Sequence, residues 1–307
     1  MGQALSAPVT DKHSSVGLNE RFAYGASAMQ GWRPTMEDAH TTLLDVEGTK
    51  GAAFFAVYDG HGGAGVSKYC GENLHKKIVA DPAFVRGDYK VAIKNGFLET
   101  DRELQLDPQH GGNSSGSTAI TATITDENIV YVGNAGDSRA VLCSGGKGIA
   151  LSTDHKPNNT DESIRIFSAG GFVESGRVNG VLGLSRALGD LAYKSNDILD
   201  PEEQIVTANP DVVEHKLTDN DEFLVLACDG IWDCMSSQKV VSLVRKGIAD
   251  KIPLATICEM TMDQCLAVKG TLTVIGCDNM TMVIVALLNG RTVEDWYKHV
   301  SSRVAIR

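Results

Sequence analysis

Aspartate residues stand at one end of four of the most apolar segments of this chain. Asp59 follows AFFAVY, Asp137 follows IVYVGNAG and Asp229 follows EFLVLAC, whereas Asp278 lies just before TMVIVALL. Aspartate is common after strands because it forms turns, so each of these residues taken alone is better explained as a turn residue. Four of them together, each beside a segment that reads as a buried strand, indicate a shared site.

Carboxylates that meet at strand ends must bind either protons or cations. At an effective dielectric constant near 20, two like unit charges 4 Å apart repel by about 4 kcal/mol. An oxygen ligand set without paired histidine or cysteine favours Mg²⁺, Mn²⁺ or Ca²⁺. The D-x-D-x-D-G loop of an EF-hand is missing, which excludes that type of calcium site. Gly60, directly after Asp59, would let its backbone carbonyl approach a metal ion.

The loop after AFFAVY also has the G-x-G-x-x-G spacing of a dinucleotide-binding turn, with glycines at Gly60, Gly62 and Gly65. A pyrophosphate binds such a turn through bare backbone N–H groups and the positive end of a helix. Asp59 would repel it, and the acidic residue expected about 20 positions later falls in a segment that reads as a helix end and loop. A plain strand–turn–helix joint is a further alternative. The four aspartates favour cation binding over both.

The composition limits the classes of partner and compartment. The chain of 307 residues has 28 basic and 39 acidic side chains and a net charge of −11, which makes nucleic acid and anionic membranes poor partners. Its apolar segments are shorter than the roughly 20 residues of a membrane helix. The first 20 residues lack the apolar core of a signal peptide. Seven scattered cysteines without a C-x-x-C pair indicate reduced thiols, and we expect a cytoplasmic or nuclear monomer.

The elements that must position these residues are strands that occur in groups, with helices between the groups. Segments rich in Val, Ile, Thr, Phe and Tyr predict the strands. Apolar residues with helical spacing predict helices over 65–80, 89–105, 239–249 and 254–268. This grouping favours an α+β fold with antiparallel sheets and helices packed outside them.

The domain organisation follows from the same pass along the chain. We expect a flexible arm over 1–20, one domain over 21–290 and a C-terminal tail over 291–307. The polar stretch 157–200 is predicted to be a surface excursion. Within the DHKP segment, 154–157, we expect turn residues only.

Eight segments resemble, in order, the motif series of the 2C-type metal-dependent Ser/Thr protein phosphatases, the PPM family. They are GWRPTMEDAH, FAVYDGHGG, SGSTA, VGNAGDSRAVL, DHKP, AGGFVESGRVNGVLGLSRALGD, EFLVLACDGIWD and GCDNMTMVIVAL. The resemblance implies a four-layer α-β-β-α sandwich of two antiparallel sheets, with the metal site at one end. It also implies hydrolysis of phosphoserine and phosphothreonine in proteins by a water activated by two Mn²⁺ or Mg²⁺ ions.

The resemblance assigns ligand roles to individual residues. Asp59 resembles the aspartate that bridges the two ions, and Gly60 resembles the residue that gives its carbonyl to one of them. Asp229 and Asp278 resemble the ligands of the other ion. Asp137, together with Asp229, resembles the site of a third, weaker ion.

The remaining roles concern the substrate and the surroundings of the ions. Glu37 and Asp38 resemble groups that reach the ions through water. Arg33 resembles the phosphate clamp, which suits a guanidinium because it can bind a phosphate through two hydrogen bonds. His61 resembles the general acid that protonates the leaving oxygen. The stretch 157–186 resembles the variable flap beside the active site, and we expect Arg186 to contact this flap or the metal-site carboxylates.

Two other functions are alternatives to the phosphatase. A catalytically inactive, phosphatase-like binding scaffold would be expected to have lost metal-binding aspartates, and this chain retains Asp59, Asp137, Asp229 and Asp278. A phosphatase of the cysteine type would need a C-x5-R motif, which the chain lacks.

The N-terminal sequence MGQALS matches the N-myristoylation pattern M-G-x-x-x-[ST], with Gly2 as the acceptor. A chance match in a polar arm is the alternative. A single myristoyl chain binds membranes only weakly, so acylation predicts transient membrane contact of a protein that otherwise stays in solution.

Overall fold

The computed structural model describes residues 5–106, 115–268 and 275–304, and Gly2 lies outside these ranges. The strands are β1 (Val9–Leu18), β2 (Phe22–Gly31), β3 (Ala39–Leu43), β4 (Ala53–Tyr58), β5 (Gly60–His61), β6 (Gly116–Ser117), β7 (Ala119–Ile124), β8 (Ile129–Ala135), β9 (Arg139–Ser144), β10 (Lys147–Ala150), β11 (Val173–Glu174), β12 (Arg177–Val178), β13 (Leu188–Gly189), β14 (Asp211–Lys216), β15 (Asp221–Ala227) and β16 (Met280–Leu287). The α-helices are α1 (Gly65–Ala80), α2 (Pro82–Val85), α3 (Tyr89–Leu106), α4 (Thr160–Ser168), α5 (Asp229–Trp232), α6 (Ser237–Ala249), α7 (Leu254–Cys265) and α8 (Val293–Val304). Short 3₁₀ turns cover Leu191–Tyr193 and Pro201–Glu203.

Two antiparallel sheets form the middle of the molecule. One has the strand order β1-β2-β16-β15-β9-β10, and the other has the order β14-β8-β7-β4-β3. Helices α5 to α8 cover the outer face of the first sheet, and α1 to α3 cover the outer face of the second. This is the four-layer α-β-β-α sandwich that the sequence predicts, so the α+β fold class is confirmed. A small sheet, β13-β6-β5, and a hairpin, β11-β12, complete the strand pairing.

The central strands are buried on both faces, which explains why they read as continuous apolar runs rather than as alternating ones. Every residue of β4, β15 and β16 is buried. One core cluster lies between the two sheets and includes Phe22, Phe55, Ile120, Leu142 and Val285. A second cluster lies between the first sheet and its helices, and a third lies between the second sheet and its helices.

Helix α1 fits the predicted range 65–80 and buries its apolar face, including Leu74 and Ile78, against the second sheet. Helix α3 crosses close to it at Gly96, where an added Cβ would overlap Ile78 Cγ1 and stand 3.0 Å from Ile78 Cα. The absence of a side chain at this position therefore sets the distance between the two helices.

The predicted flexible arm over 1–20 is wrong for Val9–Leu18, which form the edge strand β1. This strand pairs with β2 from Lys12 opposite Met29 to Leu18 opposite Ala23. Most of its side chains are exposed or only partly buried. An edge strand with a largely solvated surface carries few core residues, so its sequence resembles that of a polar arm.

The predicted C-terminal tail over 291–307 is also wrong, because helix α8 covers most of that range. Trp296 and Val300, four positions apart, are buried on one face of the helix. Trp296 Nε1 donates a hydrogen bond to the backbone oxygen of Glu222 at 3.0 Å. The helix is thus part of the outer layer on the first sheet.

Truncation of Trp296 is expected to destabilise the protein strongly. Trp296→Ala removes a fully buried indole and leaves a cavity, so the free energy of unfolding should fall by about 3–5 kcal/mol. Urea unfolding followed by circular dichroism measures this change. Lys298→Ala on the exposed face of the same helix is the control and should leave the free energy of unfolding nearly unchanged. Equal effects of the two substitutions would mean that α8 does not pack as described.

The polar stretch 157–200 contains more ordered structure than the sequence suggests. It includes α4 and the hairpin β11-β12, which close over a small apolar cluster of Ile166, Val178, Ala187 and Val206. Helix α4 and this hairpin lie within the predicted flap, residues 157–186. The cluster has only a few apolar residues, so no long apolar run marks it in the sequence.

Among the described residues, no helix combines the length and the apolar character needed to cross a bilayer.

Candidate active site

Four of the predicted aspartates meet in one cavity at the ends of the central strands. Asp59 follows β4, Asp137 lies between β8 and β9, Asp229 opens α5 directly after β15, and Asp278 precedes β16. All four line a cavity of about 920 Å³. The strands of the two sheets therefore bring the carboxylates together, as the sequence predicts.

Crowding of these carboxylates raises the pKa of several of them. Withdrawal from water, followed by the charges of Asp38, Asp229 and other neighbours, raises the pKa of Asp59 well above its usual value. Burial, followed by the charges of Asp137 and Asp278, raises the pKa of Asp229 to about 8. Bound cations would favour the ionised form of each group and reverse these shifts.

Asp38 lies beneath the cavity and has an unsatisfied oxygen. Burial raises the pKa of Asp38 to about 7. Its Oδ2 accepts a hydrogen bond from Thr281 Oγ1 at 2.7 Å, whereas its Oδ1 is buried without a hydrogen-bond partner. A buried oxygen of this kind calls for water or an ion. An oxygen-rich set with such an orphaned atom fits hard divalent cations.

Cys228 stands within 4.8 Å of the carboxylate oxygens of Asp38 and Asp59, but its chemistry does not suit a ligand. Its thiol is fully buried, and burial together with the adjacent carboxylates raises the pKa of this group well above its usual value. The sulfur also accepts a hydrogen bond from the backbone N–H of Thr281 at 3.2 Å. Thiolate is also a soft ligand that suits Zn²⁺ or Cu⁺, so Cys228 does not fit a site for Mg²⁺ or Mn²⁺.

Gly60 and Thr118 fix the backbone around Asp59. A Cβ at Gly60 would overlap the backbone oxygen of Glu37, so only glycine fits there. The N–H of Asp59 donates to Thr118 Oγ1 at 3.2 Å, and the N–H of Thr118 donates to the backbone oxygen of Asp59 at 2.9 Å. The Thr118 and Ser138 hydroxyls share a hydrogen bond of 2.8 Å. Thr118 thus links the Asp59 loop to the loop that carries Asp137.

Arg33 and Glu37 lie in the same cavity, on the loop after β2. Arg33 Nη2 is hydrogen-bonded to Asp278 Oδ2, and about half of the Arg33 side chain is exposed. Glu37 Oε2 accepts a hydrogen bond from the N–H of Gly63 at 3.1 Å. Asn279 Oδ1 accepts from the N–H of Glu37 at 2.9 Å and so ties this loop to the segment before β16. The sequence analysis missed Asn279, although it stands directly beside Asp278.

The DHKP segment contributes more than the turn residues that the sequence suggests. Lys156 lines the cavity, and its Nζ is hydrogen-bonded to Asp137 Oδ2. His155 Nδ1 accepts from the N–H of Gly136 at 3.2 Å, and its Nε2 lies 3.1 Å from Asp211 Oδ2. The segment therefore holds the loop of Asp137, and the expectation of a simple turn is wrong.

Arg186 contacts the flap rather than the carboxylates of the cavity, which decides between the two expectations for it. Its guanidinium binds Glu162 of α4 at 2.7 and 3.0 Å and Asp211 of β14 at 2.8 Å. Burial by itself raises the pKa of Glu162, but Arg186 and Arg165 outweigh it and lower the pKa to about 2. These ion pairs attach the flap to the edge of the second sheet.

His61 lies in β5 at the rim of the cavity, next to the Asp59–Gly60 pair. Its Nε2 is 2.8 Å from Oδ2 of Asp190, a buried residue at the end of the small sheet. Asp190 was not singled out from the sequence. Its position after Gly189 resembles a turn, and its partner is far away along the chain.

Comparisons with known proteins point to one family. The sequence profile described as Protein phosphatase 2C matches residues 22–273. Protein phosphatase 2C homolog 2 of Schizosaccharomyces pombe is 53% identical over 99% of this chain and 83% of its own length. A probable protein phosphatase 2C of Caenorhabditis elegans is 53% identical over 95% of this chain and 82% of its own. The crystal structure of a phosphatase from Toxoplasma gondii superposes with a TM-score of 0.76 at 29% identity, covering 90% of this chain and 96% of its own.

Proposed function

The chain belongs to the protein phosphatase 2C family and is a metal-dependent protein serine/threonine phosphatase, and from this premise we propose how its cavity binds metal ions and phosphate. Two Mn²⁺ or Mg²⁺ ions occupy the carboxylate cluster. One observation carries this proposal: Asp38 Oδ1 is buried without a hydrogen-bond partner, close to the Asp59 carboxylate. In the same site, burial and then the charges of neighbouring carboxylates raise the pKa of Asp59 and Asp229.

The proposed ligands follow the positions of the carboxylates. Asp59 would contribute its carboxylate to both ions, a role supported by the charges of four neighbouring aspartates that act on it in its buried position. Gly60 offers its carbonyl to one ion, and Asp229 and Asp278 bind the other. Asp137, with Asp229, would hold a third and weaker ion, and the Lys156 ammonium, which is hydrogen-bonded to Asp137, would compete with it.

Two further acids support the site without direct contact to the ions. Glu37 and Asp38 reach them through water molecules. For Glu37 this is supported by the hydrogen bonds that already hold its side chain to Gly63 and Thr35. For Asp38 it is supported by the burial of its unpartnered oxygen.

The chain's own residues then act on the phosphate and the leaving group. When bound, the two ions generate a nucleophile from water at neutral pH and neutralise charge on the transferring phosphoryl group. Arg33, held at the rim by Asp278, binds phosphate oxygens through its guanidinium. His61 donates a proton to the seryl or threonyl oxygen as the P–O bond breaks.

A phosphopeptide assay tests this function. We expect the purified protein to release phosphate from a phosphothreonine peptide with Mn²⁺ or Mg²⁺ present, and to lose this activity reversibly in chelator. A matched phosphotyrosine peptide is the control and should be hydrolysed far more slowly. Binding of the phosphothreonine peptide without turnover at any metal concentration would instead favour the catalytically inactive scaffold.

We further propose a cytoplasmic or nuclear monomer that visits membranes transiently through an acylated Gly2. Support comes from the M-G-x-x-x-[ST] pattern alone, and residues 3–20 offer one lysine, no arginine and no cysteine as a second anchor. The intact mass of the protein from its native cell should include one myristoyl group. Gly2→Ala should lose this group and the small membrane fraction of the wild type. An unmodified Gly2, or a wild type bound wholly to membranes, would refute the proposal.

A further inference from the structure

The small sheet β13-β6-β5 brings two acid–base groups together at the rim of the cavity. It pairs Gly60–His61 with Gly116–Ser117, and Gly116–Ser117 with Leu188–Gly189. His61 therefore lies two strands away from Asp190, and its Nε2 is 2.8 Å from Asp190 Oδ2. The Asp190 side chain is 2% exposed, whereas that of His61 is 28% exposed and lines the cavity. We propose that Asp190 is the positioning residue of His61, an inference that rests on the proposed role of His61 as proton donor.

The backbone of Asp190 is held in a conformation that a non-glycine residue seldom adopts. Its φ angle is +50°, in the left-handed region, and the surrounding contacts must offset the cost of this conformation. The backbone N–H of Asp190 donates to the backbone oxygen of Ser115 at 2.9 Å, and the backbone oxygen of Asp190 accepts from the N–H of Tyr193 at 3.0 Å. These two backbone hydrogen bonds hold Asp190 in this conformation, which fixes the direction of its side chain toward His61.

A buried ion pair clamps the turn that carries Asp190. Asp101 of α3 accepts from the N–H of Gly189 at 2.8 Å and from Lys194 Nζ at 2.7 and 2.8 Å. Lys194 Nζ also donates to the oxygen of Ala187 at 2.8 Å. Both charged side chains are almost fully buried. The residues on both sides of Asp190 are thereby fixed to helix α3, which fixes the carboxylate as well.

Gly116 leaves room for the contact between the two side chains. A Cβ at this position would overlap Asp190 Oδ2 and would stand 2.7 Å from His61 Nε2. The middle strand of the small sheet thus needs a glycine at the point where the imidazole and the carboxylate meet.

The pairing decides which ring nitrogen can serve the substrate. A carboxylate only accepts hydrogen bonds, so Nε2 of His61 carries the proton that it donates to Asp190. The transferable proton is then on Nδ1. The oxygen of water bonds to phosphorus while the bond between phosphorus and the seryl or threonyl oxygen breaks. The leaving seryl or threonyl oxygen takes the Nδ1 proton. The ring, which carries a proton on both nitrogens before the step, is left neutral; Nε2 keeps its proton and its hydrogen bond to Asp190, and water returns a proton to Nδ1.

Leaving-group dependence tests the inference. Asp190→Asn should lower kcat for phenyl phosphate at least about tenfold and for p-nitrophenyl phosphate far less, because only the poorer leaving group needs a well-placed proton. KM should change little for either substrate. Asp197→Asn, an exposed aspartate on the same surface segment, is the matched control and should leave both rates unchanged.

A double substitution separates this inference from the role of His61 itself. In a His61→Gln background, Asp190→Asn should cause no further selective loss on phenyl phosphate. If His61→Gln is selective and Asp190→Asn slows both substrates equally, the positioning role is refuted and the proton-donor role stands. If His61→Gln slows both substrates equally, the proton donor is a different group and the inference fails with it.

A measurement on the wild type covers the case in which Asp190→Asn does not fold. In the Mg²⁺-loaded protein labelled with ¹⁵N-histidine, at a pH where the ring is neutral, NMR should place the His61 ring proton on Nε2. A ring proton on Nδ1, with Nε2 bare, would overturn the inference.

Discussion

Asp59→Asn is expected to lower turnover of a phosphothreonine peptide at least about 100-fold while the sandwich stays folded. Asparagine has nearly the same shape as aspartate, so packing around β4 is retained. It cannot supply the negative charge that two neighbouring cations share. Since burial and then the neighbouring carboxylates raise the pKa of Asp59, its ionised form is disfavoured when no metal is bound, and asparagine carries no such charge. The metal-free variant should therefore be at least as stable as the metal-free wild type.

Steady-state turnover, metal content and thermal unfolding of the variant together test this expectation. Asp197→Asn removes the same charge from an exposed site and should leave all three quantities unchanged. Turnover retained above about 1% of the wild-type value, with unchanged metal content, would contradict a bridging role for Asp59.

His61→Gln is expected to produce the second large effect, and one that depends on the substrate. A general acid contributes about 10²–10⁴-fold when the leaving oxygen is strongly basic. Phenyl phosphate should therefore lose activity over that range, whereas p-nitrophenyl phosphate, whose leaving group needs little protonation, should lose much less. Glutamine keeps a polar side chain of similar size but cannot donate a proton as an acid.

The kcat values of the two aryl phosphates, measured at the same saturating metal concentration, give this comparison. His13→Gln, on the edge strand β1 and far from the cavity, is a control of the same chemical type. Equal slowing of both substrates by His61→Gln would mean that the histidine only shapes the loop after β4.

The central strands and their helices could be predicted because their sequence patterns are local. AFFAVY is apolar throughout and MTMVIVAL has one polar residue, since each sheet is covered on both faces. The edge strand β1 could not be predicted in this way, because its side chains are largely solvated and only its backbone pairing makes it a strand. Helix α8 was missed because only Trp296 and Val300 mark its buried face.

The candidate site could be predicted as far as its residues follow the ends of strands or a family motif. Asp59, Asp137, Asp229 and Asp278 all lie in the cavity that the sequence suggests. Lys156 and Asp190 could not be predicted, because the role of each depends on one contact with a residue that is distant in the sequence. In the sequence Asp190 is a turn residue after a glycine, and only the pairing of three short strands brings it to His61.

The central claim is that the carboxylates at the strand ends hold two cations with Asp59 between them. Crystals grown with Mn²⁺, with diffraction data collected at the manganese absorption edge, test it most directly. We expect two anomalous peaks about 3.5–4 Å apart, both beside the carboxylate of Asp59, with Asp229 and Asp278 next to one of them. Crystals of active enzyme with no anomalous peak in this cavity, or with Mn²⁺ bound only elsewhere, would contradict the account.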